Sequence, residues 1–427
     1  MINNQRFKSS IGAGRAKRGF VALFAGTLLA QAIGIAASPL LTRVFSPFEF
    51  GAFSVVNAFA LSISAAAALR LERAVPIPDD DGTARRIAVL GLASSVVTAA
   101  VGLIVLFVLR EPISRWFRVD DLEPFLLWIP ILSSTVAAQQ VLSAIAIRDA
   151  RFKTLARRNL VVAVTIVTVQ IGLGLAGMGT PGLLIGAAAG QAFGALILLP
   201  GLTRMEAGPV QSRLEYAKVL SRYRSFPLVL APSGLLNVLG LQAPVLLAGA
   251  YYGPAAAGWF GLTQRVIGLP VALVGQAAAQ VFLSELARSR RDRDGQGLSI
   301  FWWTSNRMAL AGSALGAVLF LAGPYMFELV FGNAWAVSGD LARALAVMTA
   351  FQLIGSTVSQ TLIVHERLVT QALWDVVRLA TVILSFTIAH QADLDLVAAA
   401  WIMGTTSSAM YAISWLLSRH AVARADH

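Results

Sequence analysis

The sequence predicts an all-α polytopic membrane protein of about 12 transmembrane helices, arranged as two six-helix lobes related as parallel repeats. Three observations predict it. Of 427 residues, 57% are apolar and only 13% are charged, about half the charged share of a soluble domain. The charges come in bursts separated by apolar runs of 20 or more residues, and a helix needs about 20 to cross a hydrocarbon core of ~30 Å. A proline, glycine and aromatic pattern recurs at an offset of 207 residues.

The apolar runs lie at 20–42, 51–70, 87–109, 122–147, 159–178, 182–203, 225–250, 255–283, 299–322, 341–363, 370–390 and 396–417. Peptide groups in lipid must be satisfied within their own segment, so these are helices. Period-two alternation, the mark of an outer-membrane barrel, is absent. The first run is longer than a signal-peptide core and eleven more follow it, so it reads as a retained first helix. On the sixth, Gly182, Gly186, Gly190 and Gly194 share one face, which predicts close packing against a neighbouring backbone. Pro39 and Pro244 lie near the outer ends of the first and seventh runs. Proline removes a backbone donor and bends a helix, so both are hinge candidates.

The repeat reads Pro47, Gly51, Phe53 in one copy and Pro254, Gly258, Phe260 in the other. Six runs separate the copies, and an even number of crossings gives both lobes the same orientation. The expected organisation is a basic cytoplasmic segment 1–19, a first lobe 20–203, a cytoplasmic linker 204–224, a second lobe 225–417 and a cytoplasmic tail 418–427. With both termini cytoplasmic, 26 of the 34 Lys and Arg fall on the inner side, which sets orientation. The net charge of +12 is then a topology signal and a contact for anionic membrane lipids, and needs no nucleic acid. Cysteine is absent, which excludes disulfides and thiolate metal sites.

The segment Ser38-Pro39-Leu40-Leu41-Thr42-Arg43-Val44-Phe45-Ser46-Pro47-Phe48-Glu49-Phe50-Gly51 resembles the first helix and loop of polysaccharide (O-antigen, Wzx-type) flippases. That family shows a threonine–arginine pair, then proline, an acidic residue and glycine. The stretch Arg70-Leu71-Glu72-Arg73-Ala74-Val75-Pro76 resembles its downstream pattern. The family belongs to the multidrug/oligosaccharidyl-lipid/polysaccharide exporter superfamily. The resemblance implies alternating-access movement of an undecaprenyl-diphosphate-linked oligosaccharide across the bacterial inner membrane, for O-antigen, capsule or exopolysaccharide. It further implies a monomer without cofactor, with a polysaccharide polymerase and glycosyltransferases as partners.

A lipid-linked diphosphate calls for a wet, cationic cleft, and the planar guanidinium fork suits phosphate. A charge buried in the bilayer costs ~2.5–3.5 kcal/mol, so it marks a function. Arg265 lies about ten residues into the eighth run, ~15 Å of helix from its start, and is the first substrate candidate. The alternative for it is a buried pair with Asp375. Arg307 is a further substrate-binding candidate, with snorkelling to the inner interface as its alternative. Arg70 and Glu72 close the second run, and Arg43 closes the first; all three join the substrate-binding candidates. Asp375 and Arg378 are three apart on one face, a local pair or a site of ion coupling.

A membrane-embedded polymerase, ligase or glycosyltransferase is the enzyme alternative. Asp79-Asp80-Asp81 is its one acidic motif, and it precedes Gly82 as a solvated turn does. Polymerases and ligases need a large outer loop, whereas 323–340 is the longest outer segment expected here. No phosphate-cradling glycine loop with lysine is present. A small-molecule exporter of the same superfamily would favour acids in its cavity, but the embedded charges here are mostly arginine.

Overall fold

The computed structural model describes residues 19, 21–116, 120–205, 212–292, 295–364 and 368–424. Most of the basic segment 1–19, together with Arg118, Arg293, His365, Arg367 and His427, lies outside the described residues. Among the described residues there are no strands. Eleven helices are long and apolar enough to cross a membrane, and a bent helix pair makes a twelfth span. The chain is a multi-pass membrane protein.

In the first half, the spans are α1 (Val21–Val44), α2 (Pro47–Ala67), α3 (Asp81–Trp116), α4 (Trp128–Arg148), α5 (Phe152–Leu175) and α6 (Gly179–Leu198). In the second they are α7 (Ala231–Tyr252), α8 (Pro254–Asp292), α9 (Gly297–Phe331), α10, α11 (Leu368–Gln391) and α12 (Leu396–Ala423). The tenth is the bent pair, Asn333–Ala344 and Ala346–Leu362, which meet at 52°. The expected outer segment 323–340 is therefore mostly helical: α9 runs through Pro324 to Phe331, and Trp335 beyond it is buried. The apolar run is placed as ending at 322, whereas the helix continues nine residues further.

Helix starts have local causes. Ser46 and Glu49 form a reciprocal capping box at α2: the Ser46 N–H donates to Glu49 Oε2 at 2.8 Å and the Glu49 N–H to Ser46 Oγ at 3.3 Å. Pro47 opens the helix, where a missing N–H costs nothing. The Thr83 N–H donates to Asp80 at α3, and the Ala398 N–H to Asp395 at α12. The hinge candidates differ in setting. Pro39 follows a break in α1 at Ala37, and the Ser38 hydroxyl donates to the Gly34 carbonyl beside it. Pro244 lies inside the continuous α7.

The chain divides into two compact units, 1–45 with 55–242 and 46–54 with 243–427. In the first, α5 and α6 pack along the glycine stripe. Added β-carbons would meet Leu173 at 3.1 Å from Gly182, the Gln170 N at 3.1 Å from Gly186 and the Val162 O at 3.1 Å from Gly190. The stripe is a packing face. The core of this unit gathers Leu71, Val75, Ile87, Val141, Ile145, Leu155 and Leu198 at its arginine-rich end. The segment expected as a linker holds a helix, Arg213–Arg222, whose Val219 joins this core together with Tyr223.

In the second unit the repeat-related glycines meet. A β-carbon on Gly51 would run into the Pro254 carbonyl and lie 2.9 Å from the Gly258 N. One on Gly258 would run into the Pro47 carbonyl and lie 3.0 Å from the Gly51 N. The starts of α2 and α8 thus cross backbone to backbone through the two copies of one motif. Phe50 adds an edge contact to Trp335 at 5.5 Å.

Gly51→Val or Gly258→Val should lower the thermal unfolding temperature in detergent, at an overpacking cost of ~1–3 kcal/mol. Gly172→Val, where an added β-carbon meets nothing within 4 Å, should leave it unchanged. Equal melting of all three variants would contradict the crossing.

Candidate functional site

The expected site residues fall on both units. In the first, α2 ends in a turn with Leu69 and Arg70 at φ of 54° and 57°. Left-handed backbone is costly for residues with a β-carbon, by ~1–3 kcal/mol each, and persists where surroundings enforce it. Leu71 and Glu72, both buried, do so here. The turn directs the Arg70 guanidinium onto Gly234 of α7, where any β-carbon would collide with it. Arg70 Nη1 also lies 3.5 Å from Glu72 Oε1. Arg70 and Glu72 therefore act together, although residues two apart on a helix would not. Burial pushes the Glu72 carboxyl above its ordinary value of 4.5, against the opposing pull of Arg70.

Arg43 is exposed in the last turn of α1. Arg265 is half-buried on α8, eleven residues beyond its start at Pro254, so ~16 Å along the helix. Arg307 is exposed on α9 and folds back over Trp303, 3.9 Å from the ring centroid. That geometry is a cation–π contact one helical turn away. On α11, Asp375 Oδ1 lies 3.8 Å from Arg378 Nη2, and Gln371 Nε2 donates to Asp375 Oδ2 at 3.4 Å. Arg378 sits 5.2 Å from the Trp374 ring, whose Nε1 donates to the Met410 carbonyl on α12. The described structure thus joins Arg70 to Glu72 and Asp375 to Arg378, each pair within one unit.

The acidic run has a structural occupation. Arg148 donates to the Pro78 carbonyl, to the Asp79 carbonyl at 3.1 Å and to Asp81 Oδ1 at 3.0 Å. The Thr83 N–H holds Asp80 below the ordinary carboxylate value. One arginine and one helix start account for the three aspartates. Among the described residues, no three His, Asp or Glu side chains gather where they could hold a metal ion.

Two features escape sequence reading. Arg158, expected in a cytoplasmic segment, lies inside α5. Its Nη1 donates to Gln139 Oε1 at 3.1 Å and its Nη2 to Ser143 Oγ at 3.2 Å, both on α4. Gly194 leaves the space, since a β-carbon there would collide with Gln139. The only sequence signal was that Gln139 and Ser143 are one turn apart. Gly234 is the other feature, and nothing in the sequence links it to Arg70.

Residues 40–340 match the family described as polysaccharide biosynthesis protein. The chain is 24% identical over 318 residues to the succinoglycan biosynthesis transport protein ExoT of Rhizobium meliloti (strain 1021), covering 73% of this chain. It spans 62% of that relative's length. Among solved structures it resembles the lipid II flippase MurJ in its inward closed conformation, with TM-score 0.74 and 12% identity over 93% of this chain and 87% of that one. It also resembles an inward-facing multidrug resistance MATE family transporter of the MOP superfamily, with TM-score 0.63 and 15% identity over 94% of both chains. A MOP superfamily transporter from Pyrococcus furiosus gives TM-score 0.63 at 13% identity, over 96% of this chain and 97% of that one. At these identities the structures establish a shared fold.

The raised carboxyl of Glu72 makes stability depend on pH. The folded state holds the proton more tightly, so the contribution is full below about 4.5 and is lost as pH rises through the higher folded value. Thermal unfolding of wild type should therefore fall relative to Glu72→Gln as pH rises from 4.5. A difference that is flat with pH, or that grows in the other direction, would contradict the burial account.

Proposed function

The chain belongs to the polysaccharide biosynthesis protein family, and from that premise we propose that it is a flippase for lipid-linked oligosaccharide. It carries an undecaprenyl-diphosphate-linked oligosaccharide from the cytoplasmic to the outer leaflet of the bacterial inner membrane. The product feeds O-antigen, capsule or exopolysaccharide assembly. The observation that carries this reading is Arg265, a half-buried cation eleven residues into a membrane-spanning helix in a chain of this family. Charges within spans mark substrate pathways, and the planar guanidinium fork suits a lipid diphosphate.

Several features support the details. Lys and Arg outnumber Asp and Glu 34 to 22, and their bias toward one set of loops orients both termini to the cytoplasm. Arg70 and Glu72 lie next to α7, where they could receive the headgroup at the cytoplasmic side. Arg43 and Arg307 would guide the diphosphate at either end of its route. Asp375 with Arg378 is the candidate for ion coupling. Alternating access requires helices that bend, and Pro39 beside the break in α1, with Pro244 in α7, are the hinge candidates. The chain would act as a monomer among membrane lipids, alongside a polymerase and glycosyltransferases. It would transport without catalysing a covalent step, in keeping with a relative named as a succinoglycan biosynthesis transport protein.

Arg265→Ala should abolish surface polysaccharide while the protein still inserts, and Arg265→Lys should restore part of it. Normal polysaccharide in the alanine variant would remove Arg265 from the site. Deletion of the gene should leave complete lipid-linked repeat units on the inner leaflet. Accumulation of unfinished sugars would point instead to a transferase.

A further inference from the structure

The second unit carries a groove of about 220 Å³ among α9, α10 and α12. Its surface is almost wholly apolar, with Trp302, Phe351, Tyr411 and Trp415 among its walls. Trp302 and Trp415 meet edge to face at 5.4 Å, and Trp415 Nε1 donates to Ser305 Oγ at 3.0 Å. That hydrogen bond fixes the ring in a wall instead of letting it fill the gap. Trp302 is 42% exposed and Phe351 39% exposed, so the groove opens to the surroundings of the unit.

Its two ends differ in chemistry. At one end Arg419, exposed in the last turns of α12, lies 5.6 Å from the Trp302 ring. The Arg307 guanidinium folds toward the same end over Trp303. At the other end, from Trp302 to Ala309 on α9, the groove descends ~10 Å into apolar surface. Tryptophans at this level are the usual mark of a membrane–water boundary. A cation at the boundary with an apolar trench below it is complementary to an anionic amphiphile.

We infer that this groove binds an anionic phospholipid of the inner leaflet, with an acyl chain lying along the wall that Trp302 and Trp415 form and the headgroup phosphate on Arg419. The headgroup contact, Arg419, is not among the arginines assigned to the transported substrate. A phospholipid held there stabilises the ends of α9, α10 and α12.

The test uses the full chain in phosphatidylcholine vesicles doped with a brominated-chain lipid, either phosphatidylglycerol or phosphatidylcholine, with tryptophan quenching as the readout. Brominated phosphatidylglycerol should quench at about five-fold lower concentration, the effect of one basic residue at an anionic surface. Arg419→Gln should erase the preference and Arg419→Lys should keep it. The difference between the two lipids should vanish in the Trp302→Phe, Trp415→Phe double variant, while quenching of the remaining tryptophans stays equal for both. Equal quenching by the two lipids, or a preference that survives Arg419→Gln, would overturn the site. Displacement of brominated phosphatidylglycerol by an equal amount of undecaprenyl phosphate would assign the groove to a polyprenyl carrier and overturn the phospholipid assignment.

Discussion

A bilayer core offers no hydrogen-bond partner to a peptide group, and the architecture of this chain follows from that one constraint. Every span among the described residues is helical, and many of its hydroxyls bond back along the backbone. Ser54, Ser143, Thr263, Thr349 and Thr357 each donate to a carbonyl four residues earlier. Where a helix does break, the freed groups are answered locally, as Ser38 answers Gly34 beside Pro39. Lipid tails are as apolar as leucine, so burying apolar surface does little to hold helices together. Close backbone approach takes over that task. The glycine stripe of α6 on α5 and the Gly51–Gly258 crossing are two instances, and Gly404 against the Ala344 carbonyl is another.

The same constraint sorts the arginines. Arg148 is taken up by the 78–81 turn, Arg158 by Gln139 and Ser143, and Arg378 by Asp375 and Trp374. These are cations with a protein task. Arg70 is held by a strained turn against Gly234 and beside a carboxyl that burial makes reluctant to ionise. Its position is specified, which is what a binding group requires. Arg265 lies deepest along its span of the proposed substrate cations, and in this account it meets the diphosphate.

Hydropathy made the spans legible, because about 20 apolar residues in succession have few other uses. The motif Ser46, Pro47, Glu49, Gly51 was also visible, but its meaning needed coordinates. Ser46 and Glu49 form a cap, and Gly51 admits the start of α8. The repeat was read from Pro254 and Gly258 by spacing alone, and the crossing gives that spacing a physical reason. What stayed hidden depends on contacts distant in sequence. Gly234 beneath Arg70 and Gly194 beside Gln139 are glycines whose partners no local pattern announces. The partners of Arg158 on α4 are likewise distant in sequence, so a cation near a helix start announces neither of them. The segment 323–340 reads as a loop because Gly323 and Pro324 suggest a break, while the helix runs through both to Phe331.

Translocation in a reconstituted system tests the central claim most directly. Purified protein is inserted into vesicles whose outer leaflet carries an undecaprenyl-diphosphate-linked oligosaccharide, and the share of sugar open to an added, membrane-impermeant glycosidase is followed in time. The account predicts that protected sugar appears only with protein present, and that Arg265→Ala vesicles behave like protein-free ones. Sugar that stays fully accessible with wild-type protein, under every ion gradient applied, would contradict it.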